Sequence, residues 1–387
     1  MRIVILGVPH TKTVDPAVSN ITDCAFTMKV WNLCRMMKAE GHEVVHLGTE
    51  GSNPDCSRNI DVMSHAEWNL VFGKRADTRL LKTDMPPDYA HKYNSRVRAA
   101  IVSLGWTAKS AIVCLPWGGE QLAAVQGIPQ FIVASGIGNF HPFASHRVYE
   151  SYANLHAMLG KEDKLCSPQW YHVVIPNGID PALFGPIEQT KKPFALFMGR
   201  IMENKGLRIA VQTCRSEKIH LKIAGPGFPE SFLEPDDDVE CLGIIGANER
   251  RELMRTAVAT FTPSYYVEPF GNVAVEAAMS GCPVIATDFG AFTEHVIHGR
   301  TGFRCRTMDH FRFALRNART IRPDVCQEWA KANYSLGPVG KRYTEFFEMI
   351  LDLQVSGPGG GWYRDHPERK QLDWMTMDYS MFGGGER

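Results

Sequence analysis

Short blocks of apolar residues, each closed by glycine or proline and followed by a stretch with helical spacing, recur along the chain. Ile3 to Leu6 is a run of β-formers ending at Gly7, and a helical pattern begins after Thr22 and Asp23, either of which can cap it. In that helix Phe26, Val30, Leu33 and Met37 share one face, Gly41 can supply a left-handed end, and a second strand starts at Glu43. The chain therefore opens with a βαβ unit. Further apolar runs at 111–115, 130–134 and 171–175 stand far enough apart for crossover helices, which predicts an open, mainly parallel sheet.

The pattern breaks at Pro176-Asn177-Gly178-Ile179-Asp180, and the following segment carries Pro181, Gly185, Pro186 and Pro193, so a linker is expected there. A second strand-then-glycine opening follows at 194–199. Helices near 207–213 and 248–256, a helix from about Asn272, and strands at 220–224, 257–262 and 283–287 repeat the α/β plan. The expected division is a first domain over 1–184, a second over 185–335, and a terminal part over 336–387. In that part Val339, Tyr343, Phe346 or Phe347, and Ile350 form one more amphipathic helix, which crosses back. After Gly357-Pro358-Gly359-Gly360-Gly361 comes a tail with Trp362, Tyr363, Trp374, Met375, Met377, Tyr379, Met381 and Phe382. It reads as a strap over apolar surface; the alternative is a contact with a partner, a second copy or a membrane.

A length of 387 residues suits two domains, and 44% hydrophobic with 22% charged residues is ordinary for a soluble globular protein. No stretch approaches the ~18 apolar residues of a membrane span. Lys+Arg and Asp+Glu balance at 42 each, so no global field draws the chain to nucleic acid or an anionic membrane. The ten cysteines lack any Cys-x-x-Cys and often sit in apolar runs, which points to reduced core thiols rather than disulfides or zinc. The first residues read as a strand, not a signal peptide, so a cytoplasmic location is expected, with peripheral membrane contact left open.

The most informative segment is Glu268-Pro269-Phe270-Gly271-Asn272-Val273-Ala274-Val275-Glu276, preceded by a predicted strand and opening a helix. If the helix begins near Gly271, the free N–H groups of Phe270, Gly271 and Asn272 face the ligand side of the sheet. Glu268 can then accept hydrogen bonds from sugar hydroxyls, and Glu276 from a vicinal diol such as a ribose. Either carboxylate alone would be an ordinary surface acid; their position at the C-terminal end of a buried strand changes that. The second cluster, Gly199-Arg200-Ile201-Met202-Glu203-Asn204-Lys205-Gly206, also ends a strand. Arg200 as a fork and Lys205 as a point charge could neutralise a diphosphate leaving group without a metal, although two basic loop residues are more often solvated. Gly225-Pro226-Gly227 could let backbone approach a nucleotide, whose base could lie against Cys241-Leu242-Gly243-Ile244-Ile245.

Taken in order, Gly199-Arg200 to Lys205-Gly206, Gly225-Pro226-Gly227, Glu268-Pro269-Phe270-Gly271 with Glu276, and Gly281-Cys282-Pro283-Val284-Ile285-Ala286-Thr287 up to Glu294 resemble the donor-binding half of retaining GT-B glycosyltransferases, family four, over about residues 194–303. The resemblance implies two Rossmann-like domains with mainly parallel sheets facing across a cleft. It implies transfer of a sugar from a UDP- or GDP-sugar to a glycan, lipid or other hydroxyl acceptor, with retention and without a metal or other cofactor. Arg200 and Lys205 would bind the diphosphate, Glu268 and the amides of Phe270, Gly271 and Asn272 the sugar, and Glu276 the ribose; Gly199, Gly225, Gly227 and Ile244 complete the candidate donor-binding residues. Glu268, Arg200, Lys205 and His141 are the catalytic candidates; His141 enters because some relatives place a histidine after the corresponding strand, with His146 and His10 as rivals. Closure over the donor about the linker is expected.

The N-terminal half matches less well, since Gly7-Val8-Pro9-His10-Thr11-Lys12-Thr13 has one glycine where many relatives have a pair. Glu150 could face the cleft but reads first as a helix charge, and Arg304, Arg306, Arg312, Arg316 and Arg319 read as a solvated basic face ahead of a surface for an anionic acceptor or lipid. Two other readings stand beside transfer: a nucleotide-sugar epimerase of the same fold, and a non-catalytic sugar-nucleotide binding protein.

Overall fold

The computed structural model describes residues 1–15, 24–73, 85–108, 110–136, 143–164 and 172–356, with the side chains of 353–356 left aside. The expected helix cap at Thr22 or Asp23, His141, Cys166 and the aromatic tail lie outside these residues.

Two parallel sheets organise the described chain. The first contains β1 (Arg2–Leu6), β2 (Glu43–Thr49), β3 (Arg58–Met63), β4 (Ala111–Leu115), β5 (Phe131–Ser135), β6 (His146–Tyr149) and β7 (Val173–Val174), in the order β3-β2-β1-β4-β5-β6-β7. The second contains β8 (Phe194–Met198), β9 (His220–Ala224), β10 (Val239–Gly243), β11 (Ala259–Thr262), β12 (Val284–Thr287) and β13 (Gly302–Cys305), in the order β10-β9-β8-β11-β12-β13. Every pairing between neighbouring strands is parallel. Covered on both faces, the central strands are apolar end to end: β4 and β8 are buried at every position.

The first helix, Ala25–Ala39, buries Val30, Leu33 and Met37 as its spacing predicts, and Gly41 follows it with a φ of +79°. Beyond the second sheet the chain returns. Helix Leu336–Ser356 lays Val339, Tyr343, Phe346, Phe347 and Ile350 against the first lobe, in one apolar cluster with Leu33 and Met37. The segment between the lobes is tied to this return crossing, with the Ile179 N–H donating to the Tyr334 carbonyl at 2.7 Å.

Three local elements differ from expectation. The segment carrying His146 and Glu150 is strand β6 and its end, not a helix; Val148 and Tyr149 are buried in it, and a strand this short has too few positions to show its period. Strand β3 gives no signal in the sequence pattern, because Arg58-Asn59-Ile60-Asp61 is polar for a strand and lies largely exposed at the sheet edge. Strand β10 likewise lies at an edge and keeps polar positions.

Candidate functional site

Strand order decides where a ligand fits. In the second sheet β8 lies between β9 and β11, so the crossovers leaving β8 and β11 run to opposite sides and a crevice opens at their C-terminal ends. The loop Gly199–Gly206 leaves β8, and the loop ending at Gly271 leaves β11. Both loops line one cleft of about 370 Å³, with Arg200, Lys205, Glu268 and Glu276 all on its wall.

Within the cleft, Lys205 Nζ donates to Glu268 Oε2 at 2.6 Å, and the hydroxyl of Ser264 donates to the same oxygen at 3.1 Å. Glu268 is buried, and its backbone is held as well: the Ala291 N–H donates to its carbonyl at 3.2 Å. The Lys205 ammonium also lies 5.0 Å from the centre of the Tyr266 ring. Burial, followed by the adjacent Glu268 charge, pushes the Tyr266 phenol well above its ordinary range, with the Arg200 charge opposing. Tyr266 is thus a neutral hydroxyl at neutral pH. Arg200 itself is exposed.

The helix Asn272–Met279 starts after Gly271, whose φ of +78° no other residue adopts cheaply. A side chain there would also run into the Phe292 ring at 2.6 Å. Within this helix Glu276 forms an ion pair with Arg250, which also lines the cleft. Across the sheet Gly225 lies so close to the preceding crossover that a Cβ would collide with the Gly199 carbonyl oxygen. Gly199, Gly225, Ile244, Gly271 and Asn272 face the cleft, with Ile244 partly exposed.

Phe270 and Gly227 do not line the cleft. The Phe270 side chain is in the core, its ring 4.5 Å from that of His295 and 5.9 Å from that of Tyr334, so only its backbone remains available as a ligand group. Gly227 packs on Ile201 instead. The rival histidines also sit elsewhere. His10 is buried with its ring 4.8 Å from Trp117, and burial pulls it down to about 4, while His146 lies on β6 with its ring edge-on to Phe131.

Several residues at this site give no signal in sequence. Lys29, from the first helix, bonds Glu150 at 3.0 Å and Asn177 at 2.8 Å, both groups of the ion pair being nearly buried at 5% and 9% exposure. Asn177 in turn donates to Asn272 at 3.2 Å, which joins the first lobe to the start of helix Asn272–Met279. The lobes touch again where the Ser151 hydroxyl donates to the Pro269 carbonyl at 2.6 Å. Separations of 95 to 148 positions put such pairs beyond local pattern, and nothing in the sequence marks Arg250 as the partner of Glu276.

The basic face is dispersed by pairing: Arg304 and Arg306 on Asp288, Arg312 on Asp309, and Arg316 on Glu217. Seven described cysteines are buried, Cys56 is half-buried and Cys241 is exposed, all as free thiols. Among the described residues no helix is long and apolar enough to cross a membrane.

Residues 182–331 match the family described as Glycosyl transferases group 1. The chain is 27% identical over 335 residues to a glycogen synthase of Mycobacterium tuberculosis, covering 72% of this chain and 78% of that one. Sucrose-phosphate synthase from Thermosynechococcus elongatus superposes with a TM-score of 0.66 at 17% identity, over 90% of this chain and 99% of that one. Anabaena HepE, solved with UDP-glucose, superposes with a TM-score of 0.62 at 15% identity, over 90% and 99%. The chain thus has the GT-B fold, and its residues 182–331 are similar to the Glycosyl transferases group 1 family.

Proposed function

We propose that the protein is a retaining glycosyltransferase that takes its sugar from a nucleoside diphosphate donor, UDP- or GDP-linked, without a metal. One observation carries the reading: two cations from the loop after β8 and two acids from the loop and helix after β11 share one cleft at the strand-order reversal. Arg200 and Lys205 are placed to hold the diphosphate, Glu268 the sugar hydroxyls, and Glu276 the ribose diol. The Lys205–Glu268 contact puts the leaving-group cation beside the sugar-binding acid, as expected if both address groups on either side of one glycosidic bond.

In the proposed step the bond between the anomeric carbon and the diphosphate oxygen breaks while the acceptor hydroxyl oxygen bonds that carbon from the same face. The acceptor proton goes to the departing phosphate oxygen, so no protein base is needed. Arg200 and Lys205 stabilise the charge that grows on the leaving group. The acceptor is a hydroxyl of a glycan, a lipid or another molecule reached from the first lobe.

The test is to incubate the protein with UDP-glucose and with GDP-mannose in the presence of a chelator, and to follow release of free nucleotide. Slow release that disappears in Lys205→Ala supports the reading. Nucleotide bound but never released places the protein in the non-catalytic class, and a changed sugar still linked to nucleotide would make it an epimerase.

A further inference from the structure

Lys29, Asn177 and Asn272 form a chain of hydrogen bonds whose direction is fixed at one end. An ammonium only donates, so Asn177 must turn its carbonyl oxygen to Lys29. Its amide NH2 then points the other way, to Asn272, which must answer with its own carbonyl oxygen. The remaining group, the NH2 of Asn272, is left over at the first position of the donor-side helix, in a residue that lines the cleft. No described side chain or carbonyl accepts from it. The orientation of both amides thus follows from one charge.

That charge is well secured. Lys29 is packed beneath Gly136, where an added Cβ would collide with its ammonium, and it keeps Glu150 as counter-ion. Burial pulls the Lys29 ammonium down and the Glu150 charge pushes it back up. Asn177 belongs to the segment joining the lobes, so the relay spans first lobe, connection and second lobe.

We infer that Lys29 and Asn177 are positioning residues that hold Asn272 with its NH2 aimed into the cleft, where it donates to an oxygen of the nucleotide-sugar. The inference rests on the proposed donor site and adds to it a side-chain donor beside the backbone amides. A phosphate oxygen and a sugar hydroxyl are both chemically apt acceptors.

Calorimetric titration distinguishes them. UDP, UDP-glucose, GDP and GDP-mannose are titrated into the intact protein and into Asn272→Ala, Asn177→Asp and the double variant, with unfolding midpoints measured alongside. The carboxylate of Asn177→Asp still accepts from Lys29 but cannot donate, which frees the Asn272 amide to turn. Each single variant is expected to weaken binding about tenfold, as for one lost hydrogen bond in a partly buried site. The double variant should be no weaker than Asn272→Ala alone, since the two changes remove the same contact. A loss with the plain nucleotides and the sugar nucleotides alike assigns a phosphate oxygen, and a loss confined to the sugar nucleotides assigns a hydroxyl. Unchanged affinity in Asn272→Ala, or losses that add in the double variant, overturns the relay. Absence of binding to the unsubstituted protein would instead overturn the proposed function on which it rests.

Discussion

Glu294 and Tyr152 belong to different lobes, yet the carboxylate of the first accepts the backbone N–H of the second at 3.0 Å. Its other oxygen accepts from Ala153 at 2.9 Å, so one acid satisfies two N–H groups at the start of helix Tyr152–Lys161. Ser151, which caps the same helix, donates to the Pro269 carbonyl next to Glu268. The clasp between lobes therefore grips the loop that carries the proposed sugar-binding acid.

Opening this clasp should weaken donor capture without unfolding either lobe. A carboxylate at a helix N-terminus contributes up to about 2 kcal/mol when partly buried, so Glu294→Ala is expected to raise the donor KM by roughly 3- to 30-fold, about tenfold for each 1.4 kcal/mol. Small-angle scattering should show a larger radius of gyration for this variant. An unchanged radius and KM would mean that the contact does not hold the lobes together.

Lys205 and Glu268 should be separable from the fold. Lys205→Ala leaves Glu268 buried with Ser264 still donating to it but without its cation, a loss worth about 1–3 kcal/mol of stability. The catalytic loss should be larger, on the order of 10²- to 10³-fold in kcat, because the cation acts where charge develops. Glu268→Ala should lower transfer comparably. Circular dichroism checks the fold, and activity near that of the parent in either variant removes both residues from the site.

Glu276 and Arg250 predict a different signature. If Glu276 binds the ribose, Glu276→Ala should weaken nucleotide and nucleotide-sugar equally, by about tenfold, as for the loss of a charged hydrogen bond. Arg250→Met should act in the same direction, since Glu276 then loses the group that orients it. A ratio of KM to kcat effects identical to that of Lys205→Ala would contradict this division of labour.

Much of this was legible because it is local. The parallel α/β plan follows from β1, β4 and β8, whose apolar runs are closed by glycine or proline, and the cleft follows from motifs lying at strand ends, a place fixed by topology. Phe270 was read for its backbone N–H alone, and the sequence did not show that its ring is a core anchor against His295 and Tyr334. Lys29, Asn177 and Arg250 were illegible for the opposite reason. Each acts through a partner far along the chain, and a lone lysine in an amphipathic helix looks like any surface charge until Glu150 is brought to it.

Three buried histidines predict acid sensitivity. Burial lowers His46 and His10 to about 4 and His295 to about 3, from an ordinary 6.5. The unfolded chain therefore binds protons that the folded chain refuses once the pH falls below 6.5, and stability drops from there until the folded values are reached. Each histidine contributes up to about 1.4 kcal/mol per pH unit across that window. Urea midpoints should fall steadily from about pH 7 to about pH 4.5, with a shallower slope in His295→Leu. A flat profile would show that these rings are protonated in the folded protein.

The central claim is that both loops act on one nucleotide-sugar. Thermal unfolding in the presence of UDP-, GDP- and ADP-sugars tests it most directly, since a ligand at about a hundred times its Kd stabilises the folded state by about 2.7 kcal/mol. The account predicts that at least one of these donors raises the midpoint, that the rise is abolished by the double substitution Arg200→Ala with Lys205→Ala, and that Glu276→Ala separately cuts the stabilisation to roughly half, as a tenfold weaker Kd requires. A midpoint unmoved by every donor, or a rise undiminished by substitution in either loop, would contradict it.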